Sequence, residues 1–389
     1  MKRDTLLTTI GRDPKRDWGS VNPPVHRTST ILFPDFETFE SHAAGTYKRP
    51  GYGRDGTPTT ESLCEALAIL EGADKAWIFT SGLAAIHASF CAFLNAGDHV
   101  LVADSVYGPT RRLCDEELSR FGITTTYYDP TIGAGIEALM QTNTKMVFCE
   151  IPGSLTFEMQ DIPAIAKVAH AHGALVVSDS TWASQLHIKP FELGIDISMH
   201  SATKYVAGHS DMVMGSLSCL APHVATLQRY YKNTGDCVSG DNAYLALRGL
   251  RTMSVRMKQH EKNALQVAQF IETHPQVARV CYPALPSDAG HALWKRDMSG
   301  ACGLFGVELK PCSNTALAAL MNNLHHFGIG YSWGGYESLI IAYRPALMRS
   351  ATASKWHKDT VMLRLHIGLE DPNDLIADLS QGFEMMNKS

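Results

Sequence analysis

Apolar residues recur at helical spacing over residues 59–70, and Glu71-Gly72 closes that segment, the glycine supplying a left-handed stop. A strand-like run follows at 76–80, Ala-Trp-Ile-Phe-Thr, and further apolar runs lie at 99–103, 123–128, 146–150, 174–178, 195–199 and 213–219. Helical stretches separate many of these runs. Alternation of this kind predicts an α/β fold with a mostly parallel sheet covered by helices. Past Gly249 the pattern changes to a long helical segment over 252–273, short strands over 303–309 and 338–341, and a final helix from Asp374. The expected organisation is an irregular N-terminal arm over 1–55, rich in Pro, Gly, Arg and Thr, a large domain over 56–249, and a smaller α+β domain over 250–389.

Composition narrows the function. A chain of 389 residues is long enough for two lobes with a substantial core. With 34 basic and 39 acidic residues and a formal charge of -5, it lacks the basic surplus that a nucleic-acid partner requires. No window approaches the ~18 continuous apolar residues needed to cross a bilayer, so no membrane association is expected. The start, Met1-Lys2-Arg3-Asp4, has no signal-peptide stretch. The nine cysteines are irregularly spaced and never form C-x-x-C, which fits a reducing cytoplasm. Cys149, inside an apolar strand, reads as core filler. Pairs such as His170/His172 and His325/His326 lack the spacing of a closed zinc site, so no metal is expected. Gly51-Tyr52-Gly53-Arg54-Asp55-Gly56 matches the G-x-G-x-x-G dinucleotide fingerprint, yet Tyr47-Lys48-Arg49-Pro50 before it is no buried strand. The glycines read as an irregular loop.

Four segments carry the chemistry. Thr80-Ser81-Gly82-Leu83 ends a strand and opens a helix, leaving the N–H groups of Gly82 and Leu83 bare for a phosphate. Val176-Val177-Ser178-Asp179 delivers an acid to the carboxyl end of a strand, where it can pair with a protonated ring nitrogen. In Ser201-Ala202-Thr203-Lys204-Tyr205, a small-residue and aromatic setting disfavours the ammonium form and so supplies a neutral amine for a Schiff base. Ser201 and Thr203 add hydroxyl donors suited to a phosphate. Tyr107, after the run at 99–103, can stack on a pyridine ring. Together these segments converge on pyridoxal 5'-phosphate (PLP), with Lys204 as its anchor.

Ser81-Gly82-Leu83-Ala84-Ala85, Asp179-Ser180-Thr181-Trp182-Ala183-Ser184, the block from His200 to Asp211 and Ser332-Trp333-Gly334-Gly335-Tyr336-Glu337-Ser338-Leu339, in this order, resemble the cystathionine lyase and synthase family of PLP enzymes. The likeness runs from about Val21 to the final helix. It implies an aspartate-aminotransferase-like large domain (PLP fold type I), a smaller C-terminal domain, and a homotetramer built as two active dimers. It also implies that the arm reaches across the dimer, with Tyr52 and Arg54 touching the neighbouring subunit's PLP phosphate. Arg364 matches the arginine that clamps the substrate α-carboxylate, a task suited to its bidentate fork.

The stretches 331–339 and 150–158 look most like the bacterial cystathionine β-lyase branch, with Ser332 and Trp333 at the substrate pocket. Two departures point to other branches: Ser180 stands where an asparagine commonly follows the ring-pairing aspartate, and His200-Ser201 resembles the synthases and γ-lyases. The implied mechanism uses Lys204 as the α-proton base, with Tyr52 and Tyr107 handling the amine proton of a sulfur amino acid. The expected products from cystathionine are homocysteine, pyruvate and ammonia. Alternatives are a γ-acting member, a cysteine desulfhydrase, and a PLP-binding regulator with little turnover.

Overall fold

Thr57 starts the first long helix, Pro58–Glu71: its hydroxyl accepts from Thr60 N at 3.3 Å, and Gly72 ends the helix at φ 75°. Leu63, Ala66 and Leu67 on its inner face are fully buried, each leucine stabilising by about 2 kcal/mol. The computed structural model describes all of residues 1–389.

Seven strands form the larger sheet: β1 (Lys75–Phe79), β2 (His99–Ala103), β3 (Thr124–Tyr128), β4 (Thr144–Glu150), β5 (Leu175–Asp179), β6 (Ile197–His200) and β7 (Gly215–Cys219). Their order is β1-β7-β6-β5-β4-β2-β3, and β7 alone runs against its neighbours. Helices cover both faces, which is why β2 is buried along its whole length and reads as unbroken apolar sequence. The second sheet, ordered β10-β11-β12-β9-β8, contains β8 (Val277–Cys281), β9 (Leu304–Leu309), β10 (Gly328–Ile329), β11 (Leu339–Tyr343) and β12 (Met362–His366). It is antiparallel except for the β10/β11 pair. The fold is thus α/β with a mostly parallel main sheet, as the pattern of apolar runs predicts.

Two elements differ from expectation. The long helix spans Gly240–Glu272 and so begins well before 252. Its first turns carry Gly240, Asp241 and Asn242, poor helix formers that hide the periodicity. Ser239 caps this start by accepting from Asn242 N at 3.1 Å. Burial of Gly240, Ala243, Ala246 and Leu247 overrides the weak propensity. Further along, a Cβ at Gly249 would sit 2.2 Å from Val206 O and 2.4 Å from Ala207 O, so only glycine lets the helix approach the loop after Lys204. The boundary expected between 249 and 250 falls inside this helix.

The arm also departs from an irregular chain. Arg3–Thr9 is helical, and Leu7 and Ile10 are buried against the long helix, where Arg251 donates to Leu7 O and Ile10 O at 2.7 Å each. A second short helix, Phe36–Ala43, is capped by Asp35. Between them the chain lies open, with Trp18 100% and Leu32 86% exposed.

A buried carboxylate ties the two sheets together beside the cavity. Asp104, just past β2, accepts from Thr352 N at 2.7 Å and Thr352 Oγ at 2.6 Å through one oxygen. Its other oxygen accepts from Ser350 N at 3.0 Å and from Arg111 at 2.5 Å. Burial by itself raises its pKa, but the bonds from Thr352, Ser350 and Arg111 outweigh that effect and hold it at about 2. A folded-state value below the ordinary 3.8 contributes stability in full above that pH, and the contribution is lost as pH falls toward 2. The difference corresponds to about 2 kcal/mol. Asp104→Asn is therefore expected to lower the stability measured by urea unfolding at pH 7 by about 2 kcal/mol, with the gap to wild type closing as pH falls below 4. An undiminished gap at low pH would show that the carboxylate charge is not what matters.

Candidate active site

Lys204 lies in a tight turn directly after β6. Arg256, buried in the long helix, holds that turn by donating to Tyr205 O at 2.9 Å and to Gly249 O at 2.8 Å. Tyr205 is buried too; its hydroxyl accepts from Gly303 N at 3.0 Å, and its ring packs against Trp333 at 5.5 Å. Arg256 carries no signal in the sequence, because nothing in one basic residue on a helix marks it as facing inward.

The amine of Lys204 projects into a cavity of ≈ 360 Å³. It donates to Ser332 Oγ at 2.7 Å and lies 5.3 Å from the Trp333 ring centroid. Arg364, on β12, donates to Ser332 O at 3.1 Å. Ser332 thus touches both cations, and it does so from a left-handed φ of 80°, a conformation costing about 1–3 kcal/mol that the surroundings must impose. His366 supports the same segment: it accepts from Gly334 N at 3.0 Å and its other ring nitrogen donates to Glu337 O at 3.0 Å. Burial first, then the adjacent His260, and after these Arg364 and Lys204, keep this imidazole well below its usual pKa, consistent with a neutral ring that donates on one side only.

Burial, and then the Arg364 charge, lowers the Lys204 amine to about 8, with Asp179 opposing. Asp179, on β5, accepts from Thr181 N at 3.0 Å and Thr181 Oγ at 2.5 Å. Burial raises its carboxyl despite those bonds and despite the opposing effects of His200 and Lys204. It would gain from a cationic partner across the cavity.

The cavity wall includes ten of the residues that the sequence singles out: Gly82, Leu83, Tyr107, Asp179, Ser201, Thr203, Lys204, Ser332, Trp333 and Arg364. Tyr52 and Arg54 are not brought to it within this chain. Tyr52 is 43% exposed, and Arg54 stacks on its ring at 5.4 Å while pairing with Asp55 at 3.3 Å. The G-x-G-x-x-G stretch forms a loop with a single 3-10 turn, Gly53–Asp55. The histidines at 170 and 172 face Asp196 at 2.9 Å and Glu137 at 2.7 Å. Cys149 is fully buried against Tyr128.

Ser201 and Thr203 differ more than their flanking positions suggest. Thr203 Oγ donates to Met214 O at 3.1 Å and accepts from Met214 N at 2.9 Å, so its proton is engaged. Ser201 Oγ stands at the start of the helix Gly82–Cys91, so close that a Cβ at Gly82 would lie 2.9 Å from it. Glycine there lets bare helix N–H groups and a hydroxyl converge, a donor set that fits a phosphate. An amine of lowered pKa fits an aldehyde, and a buried carboxylate fits a ring N–H⁺, so the site suits PLP. Glu150, Thr181 and Tyr331 also line the cavity and were not foreseen. Glu150 ends an apolar strand just as Asp179 does, and that shared signal was available in the sequence.

The Lys204–Arg364 coupling is testable in cofactor-free protein. Arg364→Leu removes the neighbouring charge, so the Lys204 amine is expected to titrate above about 8, measured as the pH dependence of its acylation by mass spectrometry. An unshifted titration would leave burial as the sole cause.

Comparison with known proteins supports the same reading. Residues 4–384 match the model of the family described as Cys/Met metabolism PLP-dependent enzyme. The chain is 43% identical to cystathionine beta-lyase of Escherichia coli (strain K12) over 391 residues, 98% of each chain. It is 41% identical to the L-alanine/L-glutamate racemase of Wolbachia pipientis wMel over 393 residues, 98% of this chain and 97% of that one. Among solved structures, the cystathionine gamma synthase of Xanthomonas oryzae pv. oryzae superposes with a TM-score of 0.90 at 32% identity, covering 100% of this chain and 99% of the other. A lysine, an acid and a helix start arranged for PLP, together with these similarities along the whole length, show that this chain belongs to the Cys/Met metabolism PLP-dependent enzyme family.

Proposed function

We propose that the chain is a carbon–sulfur β-lyase that cleaves cystathionine to homocysteine, pyruvate and ammonia, working in the cytoplasm as a homotetramer of two active dimers. The observation that carries this reading is the Lys204–Ser332–Arg364 arrangement, which sets an amine of lowered pKa beside a guanidinium, as an α-amino acid requires. The β-lyases among its relatives favour this bond over the γ-position. The nine free cysteines fit a reducing compartment, and no helix is long and apolar enough to cross a membrane.

PLP supplies an aldehyde for an amino group and a ring that accepts the electrons left on Cα. In this reading the N–H groups of Gly82 and Leu83 and the Ser201 hydroxyl would hold its phosphate, beside a Thr203 whose proton Met214 already takes, while Asp179 would hold its ring nitrogen and Lys204 its aldehyde carbon. Tyr52 and Arg54 of a second copy of the chain complete the phosphate site. Tyr107, on the cavity wall, would stack on the ring and, with Tyr52, would handle the proton of the incoming substrate amine. Arg364 grips the α-carboxylate with its fork, and Trp333 shapes the pocket. The substrate amine would take the place of Lys204 at that carbon, and the Lys204 amine so freed removes the Cα proton; the Cβ–S bond then breaks with its electron pair on sulfur. The thiolate takes a proton from the Lys204 ammonium or the Tyr107 phenol. The remaining 2-aminoacrylate adds water to give pyruvate and ammonia.

Product analysis tests the reading. Cystathionine is expected to yield pyruvate and homocysteine, whereas 2-oxobutyrate and cysteine would replace it with γ-cleavage. A second reading, amino-acid racemisation, is favoured by the 41% identity to the Wolbachia racemase and by Lys204 and Tyr107 sharing one cavity. Conversion of L-alanine to D-alanine, without keto acid from cystathionine, would establish it. The shared site has its own experiment: mixing Arg54→Ala and Lys204→Ala subunits should restore activity that neither variant has alone. Mixed dimers that stay inactive would remove Arg54 from a neighbouring site.

A further inference from the structure

Glu150 is a cavity residue with no part in the chemistry above. It closes β4 at the level where Asp179 closes β5, since the two are register partners in the parallel pair. Register partners on parallel strands point to the same face, and neighbouring strands lie about 4.8 Å apart. Two carboxyl groups therefore stand side by side at the cavity wall. Like charges that close, walled by protein, do not both ionise.

The surroundings decide which of the two keeps a proton. Asp179 has two donors from Thr181, and both His200 and Lys204 favour its charged form. Its place opposite a ring N–H⁺ favours that form further. Glu150 has one strong donor, the backbone N–H of Tyr107 at 2.6 Å. Arg349 is the cation on its side, but Arg349 is already engaged by Thr156 and lies 3.6 Å from Glu158. Burial, then the Asp179 charge, pushes the Glu150 carboxyl well above the usual range, against the Tyr107 N–H, Arg349 and Ser154.

We propose that Glu150 is held as a neutral carboxylic acid and is the positioning residue of the Tyr107 loop. A C=O of a protonated carboxyl still accepts the Tyr107 N–H, so the loop stays anchored without a second negative charge beside Asp179. The absence of that charge matters for Tyr107 as well. Its phenol is raised first by burial, and an ionised Glu150 would raise it more. A neutral anchor fixes the tyrosine's position while leaving its proton easier to release. The kinetic part of this inference rests on the β-lyase reading; the protonation state does not.

The test pairs two variants with one spectroscopic readout. Glu150→Gln keeps a neutral acceptor and should retain pyruvate release within about threefold of wild type, with the same limbs in its pH profile. Glu150→Leu removes the acceptor, and its kcat should fall on the order of 100-fold as the loop loses its anchor. The infrared difference spectrum of wild type minus Glu150→Gln should contain the C=O stretch of a protonated carboxyl at neutral pH. Absence of that band, or a Gln variant as impaired as the Leu variant, would overturn the proposal. If Glu150→Leu does not fold, the Gln profile and the infrared band decide. If wild type releases no pyruvate, the lyase reading fails while the band still reports on Glu150.

Discussion

The central constraint in this protein is that charged groups of both signs must share a small cavity at the carboxyl ends of parallel strands. Lys204, Arg364, Asp179 and Glu150 all line it. Taken out of bulk water, each shifts away from its ordinary titration: burial leads in lowering the two cations, to about 8 and about 10, and in raising both acids. Each stays in place because a neighbour compensates. The amine finds Ser332, the guanidinium finds a carbonyl, and Asp179 finds Thr181. The same desolvation that strains these groups makes them reactive, since a lysine near neutrality can both bond to an aldehyde and take a proton.

Holding such a cavity requires structure from distant parts of the chain. The main sheet contributes Asp179 and the turn bearing Lys204, while Arg364 comes from the second sheet and Ser332 from a loop before β11. The long helix links them: Gly249 allows its close approach, and Arg256 reaches from it to the carbonyl beside the lysine. On the far side, Asp104 binds residues 350 and 352 to the loop that carries Tyr107. Beneath these contacts runs one continuous hydrophobic core of 94 buried residues from both sheets. The parts of a site assembled this way are individually unfavourable and persist only together.

The alternation of apolar runs made the α/β fold legible, because fully buried parallel strands admit few polar residues. The strands found in the larger sheet lie within a few residues of those runs. Lys204, Asp179 and Gly82 stood out as candidates as well, since small residues around a lysine, an acid ending a buried strand, and a glycine opening a helix are local signals, whereas Arg364 entered only through the family resemblance. What stayed hidden was non-local. The first turns of the long helix looked like loop because Gly240, Asp241 and Asn242 disfavour helix, and burial of Gly240, Ala243, Ala246 and Leu247 reversed that preference. The N-terminal helix carried too few apolar residues to show a period, yet Leu7 and Ile10 found a surface to cover.

The sequence alone determined the cofactor chemistry, for the residue types that bind a phosphate, a ring nitrogen and an aldehyde stand in short segments whose spacing follows the strand and helix ends. Only the tertiary structure decided how those segments meet. It brought Glu150 beside Asp179, set Ser332 between two cations, committed the Thr203 proton to Met214, and left Tyr52 and Arg54 outside the cavity of their own chain. Strand register, burial and hydrogen-bond competition govern these outcomes, and each depends on residues far apart in the chain. A short stretch of sequence carries no record of them.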